Sequence, residues 1–284
     1  MSFRQSSVIP GFGFTLGYTL MWLSLIVLIP MAGMFFYASQ ITMDQLGAIL
    51  SSRQLQSALK LSLYTSLISA FIVSIIGSLL AWVLVRYTFP GRRFIDALVD
   101  LPFALPTAVA GIALTTLYAP QGAIGSLLPF KVAYSPLGIT VALVFVTLPF
   151  AVRTVQPVIK DIPREIEEAA RSLGANTFQT FIFVIFPILF PAWMTGFSLA
   201  LARGIGEYGS VVFISANIPY KTEILPLLIM SKLDQFDYVG ATAVGVLMII
   251  IAFAMLLIIN LIQRYLKPVY ILNLFLKLFN FIRA

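Results

Sequence analysis

Two residue types are missing from the 284-residue sequence and a third class is scarce. There is no cysteine and no histidine, and charged residues make up only 10% of the chain. Without cysteine the protein forms neither disulfides nor thiolate ligands. Without histidine it lacks the commonest general base and the commonest metal ligand. We therefore expect no catalytic centre, no bound metal and no organic cofactor.

The scarcity of charge also indicates that much of the protein surface faces lipid and not water. Soluble domains usually carry about 25% charged residues, whereas this chain is 60% hydrophobic. Such a surface is suited to a lipid bilayer, in which helices satisfy their own backbone hydrogen bonds. The net charge of +7 does not indicate nucleic acid as a partner, because the basic residues are scattered between apolar segments. We predict an all-α membrane protein.

Six apolar segments approach the about 20 residues that a helix needs to cross a bilayer. They lie at 15–37, 62–85, 97–118, 137–157, 181–202 and 239–262. The third contains Pro102 and Pro106 and is expected inside the bundle, where neighbouring helices satisfy the freed carbonyls. We expect one transmembrane domain over 15–262, an N-terminal segment over 1–14 and a C-terminal tail over 263–284.

Lysine and arginine are distributed unevenly between the loops, which predicts the orientation of the chain. With a cytoplasmic N-terminus, the inner side holds Arg4, Arg86, Arg92, Arg93, Arg153, Lys160, Arg164, Arg171, Arg264, Lys267, Lys277 and Arg283. The outer side holds Arg53, Lys60, Lys131, Lys221 and Lys232. We expect both termini in the cytoplasm of a bacterium, at its inner membrane, with an uncleaved first span, since its apolar run is too long for a signal peptide.

The densest cluster of charge lies between the fourth and fifth segments, over 161–187. Pro163 suits the first position of a helix, and Gly174 suits the left-handed residue that follows a helix end. Asn176 or Thr177 can cap a second helix. The loop therefore predicts a short helix, a glycine turn and a second helix that continues into the fifth segment. Charge alone leaves open whether the short helix docks a partner or is an ordinary surface helix.

One stretch of this loop carries Glu168-Ala169-Ala170, then Gly174 after three residues, then Val184-Ile185-Phe186-Pro187 after nine more. It resembles the EAA loop of ABC importer permeases, whose pattern is EAA-x3-G-x9-I-x-L-P. Two of the last four residues differ from that pattern but are similar in size. The resemblance implies a six-helix permease bundle with a cytoplasmic coupling helix, in which Glu168, Ala169, Ala170 and Gly174 dock in a groove of an ATPase subunit.

Longer stretches of the sequence resemble one group within the ABC importer permeases. The sulfate and molybdate permease group is similar to this chain over 86–118 and 200–219, and the T-type sulfate/thiosulfate permeases are similar over 222–244. This implies a non-catalytic subunit that translocates sulfate, with thiosulfate as a further substrate. The implied partners are a second, W-type permease, two copies of an ATP-binding subunit and a periplasmic sulfate-binding protein.

Three alternative functions remain open at this point. A molybdate or tungstate permease would look alike, because those oxyanions share the charge and shape of sulfate. An ion-coupled secondary anion transporter would show an internal repeat with paired broken helices, and no clear repeat is present. An intramembrane hydrolase would need a Ser–His or paired-Asp arrangement.

The phosphate-binding pattern of ATPases, G-x-x-x-x-G-K-[ST], is absent, so the energy for uphill transport has to come through a partner.

A few charged residues fall in or near the apolar segments. Arg203 and Glu207 are spaced i, i+4 and can pair on one helix face. Arg203 either attracts the anion in the pathway or forms a structural ion pair that fixes a helix bend. We favour the ion pair, because Glu207 would neutralise the arginine and repel sulfate. Asp100 is expected to pair with a basic residue, Arg92 or Arg93 being near in sequence.

Overall fold

The computed structural model describes residues 12–265, and over this range the chain consists of helices joined by loops. Most of the predicted N-terminal segment and of the predicted C-terminal tail lies outside the described residues. Within the described range, five helical stretches are long and apolar enough to cross a bilayer: Phe12–Ala38, Arg53–Arg86, Pro136–Asp161, Thr177–Ile205 and Tyr238–Arg264. The predicted all-α membrane fold is confirmed over these residues.

The helices are numbered in chain order. Their bounds are α1 Phe12–Leu23, α2 Ile29–Ala38, α3 Met43–Ser51, α4 Arg53–Arg86, α5 Arg92–Val99, α6 Leu101–Ala104, α7 Thr107–Tyr118, α8 Pro136–Asp161, α9 Arg164–Ser172, α10 Thr177–Thr180, α11 Phe186–Ile205, α12 Gly209–Ser215, α13 Leu225–Asp234 and α14 Tyr238–Tyr265. Two π-helical turns, Ser24–Leu28 and Phe181–Ile185, join α1 to α2 and α10 to α11. Each joined pair therefore forms one helical stretch that is long enough to cross a bilayer.

The third apolar segment is not the single helix that was expected. It is divided among α5, α6 and α7, and the break between α6 and α7 lies at Leu105, which is extended (φ −84°, ψ 134°) directly before Pro106. A proline ring disfavours helical backbone in the residue that precedes it. A second break separates α11 from α12, where Gly206 ends one helix before Gly209 begins the next. Within residues 12–265, the six expected segments are thus five long helices and one broken segment.

Helix α4 lies at the centre of the fold and packs against α8 and α11. Its buried face consists mainly of small residues, which let helix axes approach closely in a membrane. They are Ala58, Ser62, Thr65, Ser66, Ser69, Ala70, Ser74, Gly77 and Ala81. Hydroxyls in this face donate to carbonyls one turn back in the same helix, as Ser74 Oγ does to Ala70 O at 2.7 Å. These polar groups are therefore satisfied without water.

The two ends of the bundle differ. The loop end carries residues 161–180, and α4 and α8 end there side by side, where Arg86 Nη2 donates to Ile162 O at 3.1 Å. The opposite end carries the loops that join α2 to α3, α7 to α8 and α12 to α13. There, Tyr134 N donates to Ile214 O at 2.7 Å. Helices α1 and α2 have no buried residues, and α2 contacts the bundle through α14.

A charged network at the loop end holds the broken third segment against α8. Arg153 of α8 donates Nε to Asp100 Oδ1 at 2.8 Å and Nη1 to Asp96 Oδ1 at 2.7 Å. Gln156 Nε2 also donates to Asp96 Oδ1, at 3.0 Å. One arginine thereby bridges the last turn of α5 and the junction with α6, so it fixes the entry of the chain into the broken segment.

The partner of Asp100 corrects an expectation. Asp100 does pair with a basic residue, but with Arg153 and not with Arg92 or Arg93. The two nearby arginines lie in the first turn of α5, about two turns or roughly 11 Å along the helix axis from Asp100. Arg153 lies 53 positions away in sequence, yet the packing of α8 places it directly beside the carboxylate.

The close approach of α7 to α12 predicts a size limit at Gly111. A Cβ atom there would lie 2.6 Å from Ser210 O, whereas one at Gly47 of α3 would have no atom within 4 Å. We expect Gly111→Ala to lower the free energy of unfolding by about 1–3 kcal/mol through overpacking. Gly47→Ala should be neutral or stabilising by up to about 1 kcal/mol. Thermal unfolding in detergent measures both variants, and equal midpoints would contradict the packing argument.

The network around Asp96 predicts a pH dependence of stability. The hydrogen bond from Gln156, together with Arg153, lowers the pKa of Asp96. Its stabilisation is therefore complete above the unfolded pKa of about 3.9 and is lost as pH falls through the lower native value. We expect Asp96→Asn to lower the thermal midpoint at about pH 7, with the gap to wild type narrowing below about pH 4. The control is Asp44→Asn, an exposed carboxyl at the opposite end, and a pH-independent gap for Asp96→Asn would refute the idea.

Candidate coupling helix and intramembrane ion pair

The short helix expected between the fourth and fifth segments is α9. It begins at Arg164, with Pro163 as the cap residue just outside and not as the first helical residue. Glu165 and Glu167 lie in its first turn, where the helix dipole favours negative charge. After the helix, Gly174 has φ +87°, a left-handed conformation that suits glycine and ends the helix cleanly.

The second helix begins with a reciprocal cap. The side chain of Asn176 accepts a hydrogen bond from Gln179 N at 2.8 Å, and Gln179 Oε1 accepts one from Asn176 N at 2.9 Å. This capping box satisfies backbone groups at the start of α10. Of the two residues that the sequence offered as the cap, Asn176 takes the role. The helix, glycine turn and second helix therefore occur in the expected order.

The four residues that resemble the EAA motif lie together on α9 and its turn. Glu168 and Ala169 are exposed, Ala170 is buried, and Gly174 forms the exposed turn. Leu173, next to that turn, is 89% exposed. The outer surface of α9 thus combines charge with small and apolar side chains, a composition that suits contact with another protein.

The inner surface of α9 is anchored to the bundle. Ile166 packs on a buried cluster formed mainly by α4, α8 and α11. The Glu167 carboxylate lies 2.9 Å from Arg86 Nη2, and both side chains are largely buried. The distribution of basic residues identified Arg86 only as a charge expected on the cytoplasmic side. No local signal could have identified this contact, because it joins the end of α4 to a helix that begins after two further apolar segments.

The predicted pairing of Arg203 with Glu207 is formed. Arg203 Nη1 lies 2.5 Å from Glu207 Oε2, and the Glu207 side chain is 1% exposed. The other carboxylate oxygen, Oε1, accepts hydrogen bonds from Ser210 N and Ser210 Oγ, both at 2.9 Å. Glu207 therefore caps the start of α12 while it pairs with the end of α11, and so it bridges the break at Gly206.

The acidic residues offer no metal site in the described part of the chain. Over residues 12–265, no three Asp or Glu side chains converge in a group that could hold a metal ion. The arrangement has other chemical capacities. The loop end carries a short helix with an exposed outer surface, and the interior holds a buried, paired carboxylate and an arginine that is about one-third exposed.

Known proteins are similar to this chain over most of its length. Residues 73–271 match the family described as binding-protein-dependent transport system inner membrane component. A probable sulfate transport system permease protein of Nephroselmis olivacea is 48% identical over 248 residues, which cover 86% of this chain and 87% of the relative. The sulfate transport system permease protein CysT of Escherichia coli K12 is 41% identical over 259 residues, which cover 90% of this chain and 94% of the relative.

A solved structure supports the fold. A bacterial alginate ABC transporter, crystallised in complex with an alginate pentasaccharide-bound periplasmic protein, aligns with a TM-score of 0.75. The alignment covers 89% of this chain and 93% of the other at 21% identity, so it shows the fold alone.

The family match and the fold agree with the resemblance that the sequence predicted. They remove the secondary transporter and the intramembrane hydrolase from consideration, because the matching proteins are non-catalytic permease subunits of ABC transport systems. The chain belongs to the family of inner-membrane components of binding-protein-dependent transport systems, which are the permease subunits of ABC importers.

Proposed function

We propose that the chain is the transmembrane permease subunit of an ABC importer that carries sulfate into the cell, with thiosulfate as a further substrate. The observation that carries this proposal is α9, an exposed helix with the EAA residues at one end of a permease bundle that has no nucleotide motif of its own. The named substrate of relatives that are 41–48% identical supports sulfate.

The charge of the substrate requires an energy source. Moving each negative charge against an inside-negative potential costs about 2.3 kcal/mol per 100 mV, so a sulfate dianion costs about 4.6 kcal/mol at that potential. A passive pore would therefore release sulfate at ordinary gradients. A chain without a phosphate-binding loop has to obtain this energy from a partner that hydrolyses ATP.

The proposed mechanism is alternating access. Two ATPase subunits close on ATP and draw the coupling helices together, which opens the bundle outward. A loaded binding protein then releases sulfate into the cavity, and hydrolysis returns the bundle to the inward-facing state. In this scheme Glu168 and Ala169 contact the ATPase, Ala170 rests on the bundle, and Gly174 provides the turn that holds the helix at the surface.

The proposed assembly contains a second, W-type permease, two copies of the ATP-binding subunit and a periplasmic sulfate-binding protein. We place the loop end in the cytoplasm of a bacterium, with both termini on that side of the inner membrane. The distribution of basic residues supports this orientation, because the loop end carries Arg86, Arg92, Arg93, Lys160, Arg164 and Arg171. The family description supports the inner membrane.

Arg203 is proposed as a structural residue and not as an anion ligand. Glu207 neutralises its charge at 2.5 Å and caps α12 at the same time. A dianion at this position would meet a buried carboxylate, whose repulsion would offset the attraction of the arginine. In this proposal, selectivity resides mainly in the binding protein.

The substrate is tested by uptake of radiolabelled sulfate in a strain that lacks the chromosomal copy of this permease. We expect the plasmid-borne chain to restore uptake and excess unlabelled sulfate or thiosulfate to compete with it. Molybdate should compete weakly if the proposal is right. Restoration of molybdate uptake without any sulfate uptake would overturn the substrate and would favour the molybdate or tungstate permease.

The coupling role is tested by reversing one charge on the outer surface of α9. We expect Glu168→Lys to reduce ATP-dependent sulfate uptake by roughly tenfold, the effect of about 1.4 kcal/mol lost at the docking contact. The matched control is Asp44→Lys, the same charge change on an exposed helix at the opposite end. Uptake into proteoliposomes that hold the complete complex, with ATP in the lumen and the binding protein outside, measures both variants. Unaltered uptake in Glu168→Lys would count against docking through α9.

A further inference from the structure

The last two turns of α4 contact the coupling loop on both sides of its glycine turn. Arg86 meets the first part of the loop: its Nη2 lies 2.9 Å from Glu167 Oε1 and donates to Ile162 O at 3.1 Å. Trp82, one turn earlier, meets the second part through an edge-to-face contact with Phe181, at 6.2 Å between ring centroids. The loop therefore rests on the end of α4 at several separate points.

Several groups surround the guanidinium of Arg86. The guanidinium lies 5.3 Å from the centre of the Trp82 ring, a distance at which a cation is attracted to the ring face. Its exposed fraction is 12%, and that of Glu167 is 21%, so solvent screens this pair less than a surface ion pair. A planar guanidinium can contact a carboxylate, a carbonyl and a ring at once, whereas a lysine ammonium cannot match this geometry.

Helix α4 continues without interruption from the loop end to the opposite end. Its 34 residues correspond to about 51 Å of helix, and the helix contains no proline. Helices α8 and α11, in contrast, each carry proline inside. In its first three turns, α4 contacts the start of α13 and the residues just before it: Gln54 Nε2 donates to Glu223 Oε2 at 2.8 Å, and Ser62 Oγ accepts from Leu225 N at 2.8 Å. One continuous helix thus connects the loop over 161–187 with the far side of the bundle.

We propose that Arg86 is a positioning residue that clamps the coupling helix α9 to α4 through Glu167, so that a movement of α9 is carried along α4 to the segment around Glu223. This inference rests on the proposed function, because it assumes that an ATPase moves α9. It assigns to Arg86 a role in transmission, separate from the docking of Glu168 and Ala169. Loss of the clamp would leave the ATPase bound and active while the bundle follows its movement poorly.

The test uses the complete complex in proteoliposomes, with the binding protein, and measures radiolabelled sulfate uptake and ATP hydrolysis in the same preparation. We expect Arg86→Gln and Glu167→Gln each to lower the sulfate taken up per ATP hydrolysed by at least about fivefold, the lower end of typical coupling between sites. The matched control is Arg93→Gln, an exposed arginine at the same end with no ion pair among the described residues, and its ratio should stay at the wild-type value.

Two further variants separate transmission from simple stability. The exchanged pair Arg86→Glu with Glu167→Arg should recover part of the lost ratio, and Arg86→Lys should fall between wild type and Arg86→Gln. A ratio equal to wild type in both single glutamine variants would overturn the clamp. So would uptake and hydrolysis that decrease in the same proportion, or loss of the ATPase from the purified complex. If Arg86→Gln does not accumulate in the membrane, Glu167→Gln decides by the same criteria.

The failure of the proposed function would look different. In that case the wild-type complex itself would show no ATP-dependent sulfate uptake, whatever the variants do. A wild-type complex that transports sulfate, together with single variants that keep the wild-type ratio, would leave the proposed function standing and remove only the clamp.

Discussion

The close packing of α4 against α8 and α11 is the contact on which the other features of this protein depend. In a bilayer no hydrophobic driving force brings helices together, so tight van der Waals contact between small residues has to do so. The three helices meet near Ala151: a Cβ at Gly77 would lie 2.9 Å from Ala151 Cβ, and one at Gly196 would lie 3.1 Å from Ala151 Cα. Because the axes are this close, Arg86 at the end of α4 reaches Ile162 at the end of α8.

At two junctions between helices, α5 to α6 and α11 to α12, an arginine pairs with one or two acidic side chains. Arg153 holds the start of the broken third segment through Asp96 and Asp100, and Arg203 pairs with Glu207 where α11 gives way to α12. A charge within the membrane is a functional candidate by default. In this chain such charges brace the places where the backbone leaves its helix, because a helix end within the bundle exposes polar groups that need partners. The Glu207 carboxylate meets both needs, since it accepts the Ser210 N–H as well as the arginine.

Helix α9 shows how nine residues serve two surfaces. Helical periodicity separates side chains that lie on opposite faces, so Ile166 and Glu167 contact the bundle while Glu168 and Ala169 remain exposed. The inner set makes apolar contact and one ion pair with α4, and the outer set has small and charged residues available for a partner. The proposed coupling role would use both surfaces, because a movement received on the outer face would have to pass to α4 through the inner one.

The sequence by itself determined the membrane fold class, the apolar segments and the local form of the loop over 161–187. These follow from hydropathy, helix caps and a glycine at a left-handed position, all of which act over a few residues, and the EAA residues identified the family. Tertiary structure alone decided that Asp100 pairs with Arg153 and not with its sequence neighbours, and that Glu167 pairs with Arg86. It also decided that Glu207 joins α11 to α12 as a cap. The physical reason is that an ion pair forms between side chains that helix packing brings together, and which helices are neighbours depends on the contact of whole helix faces and not on any local pattern.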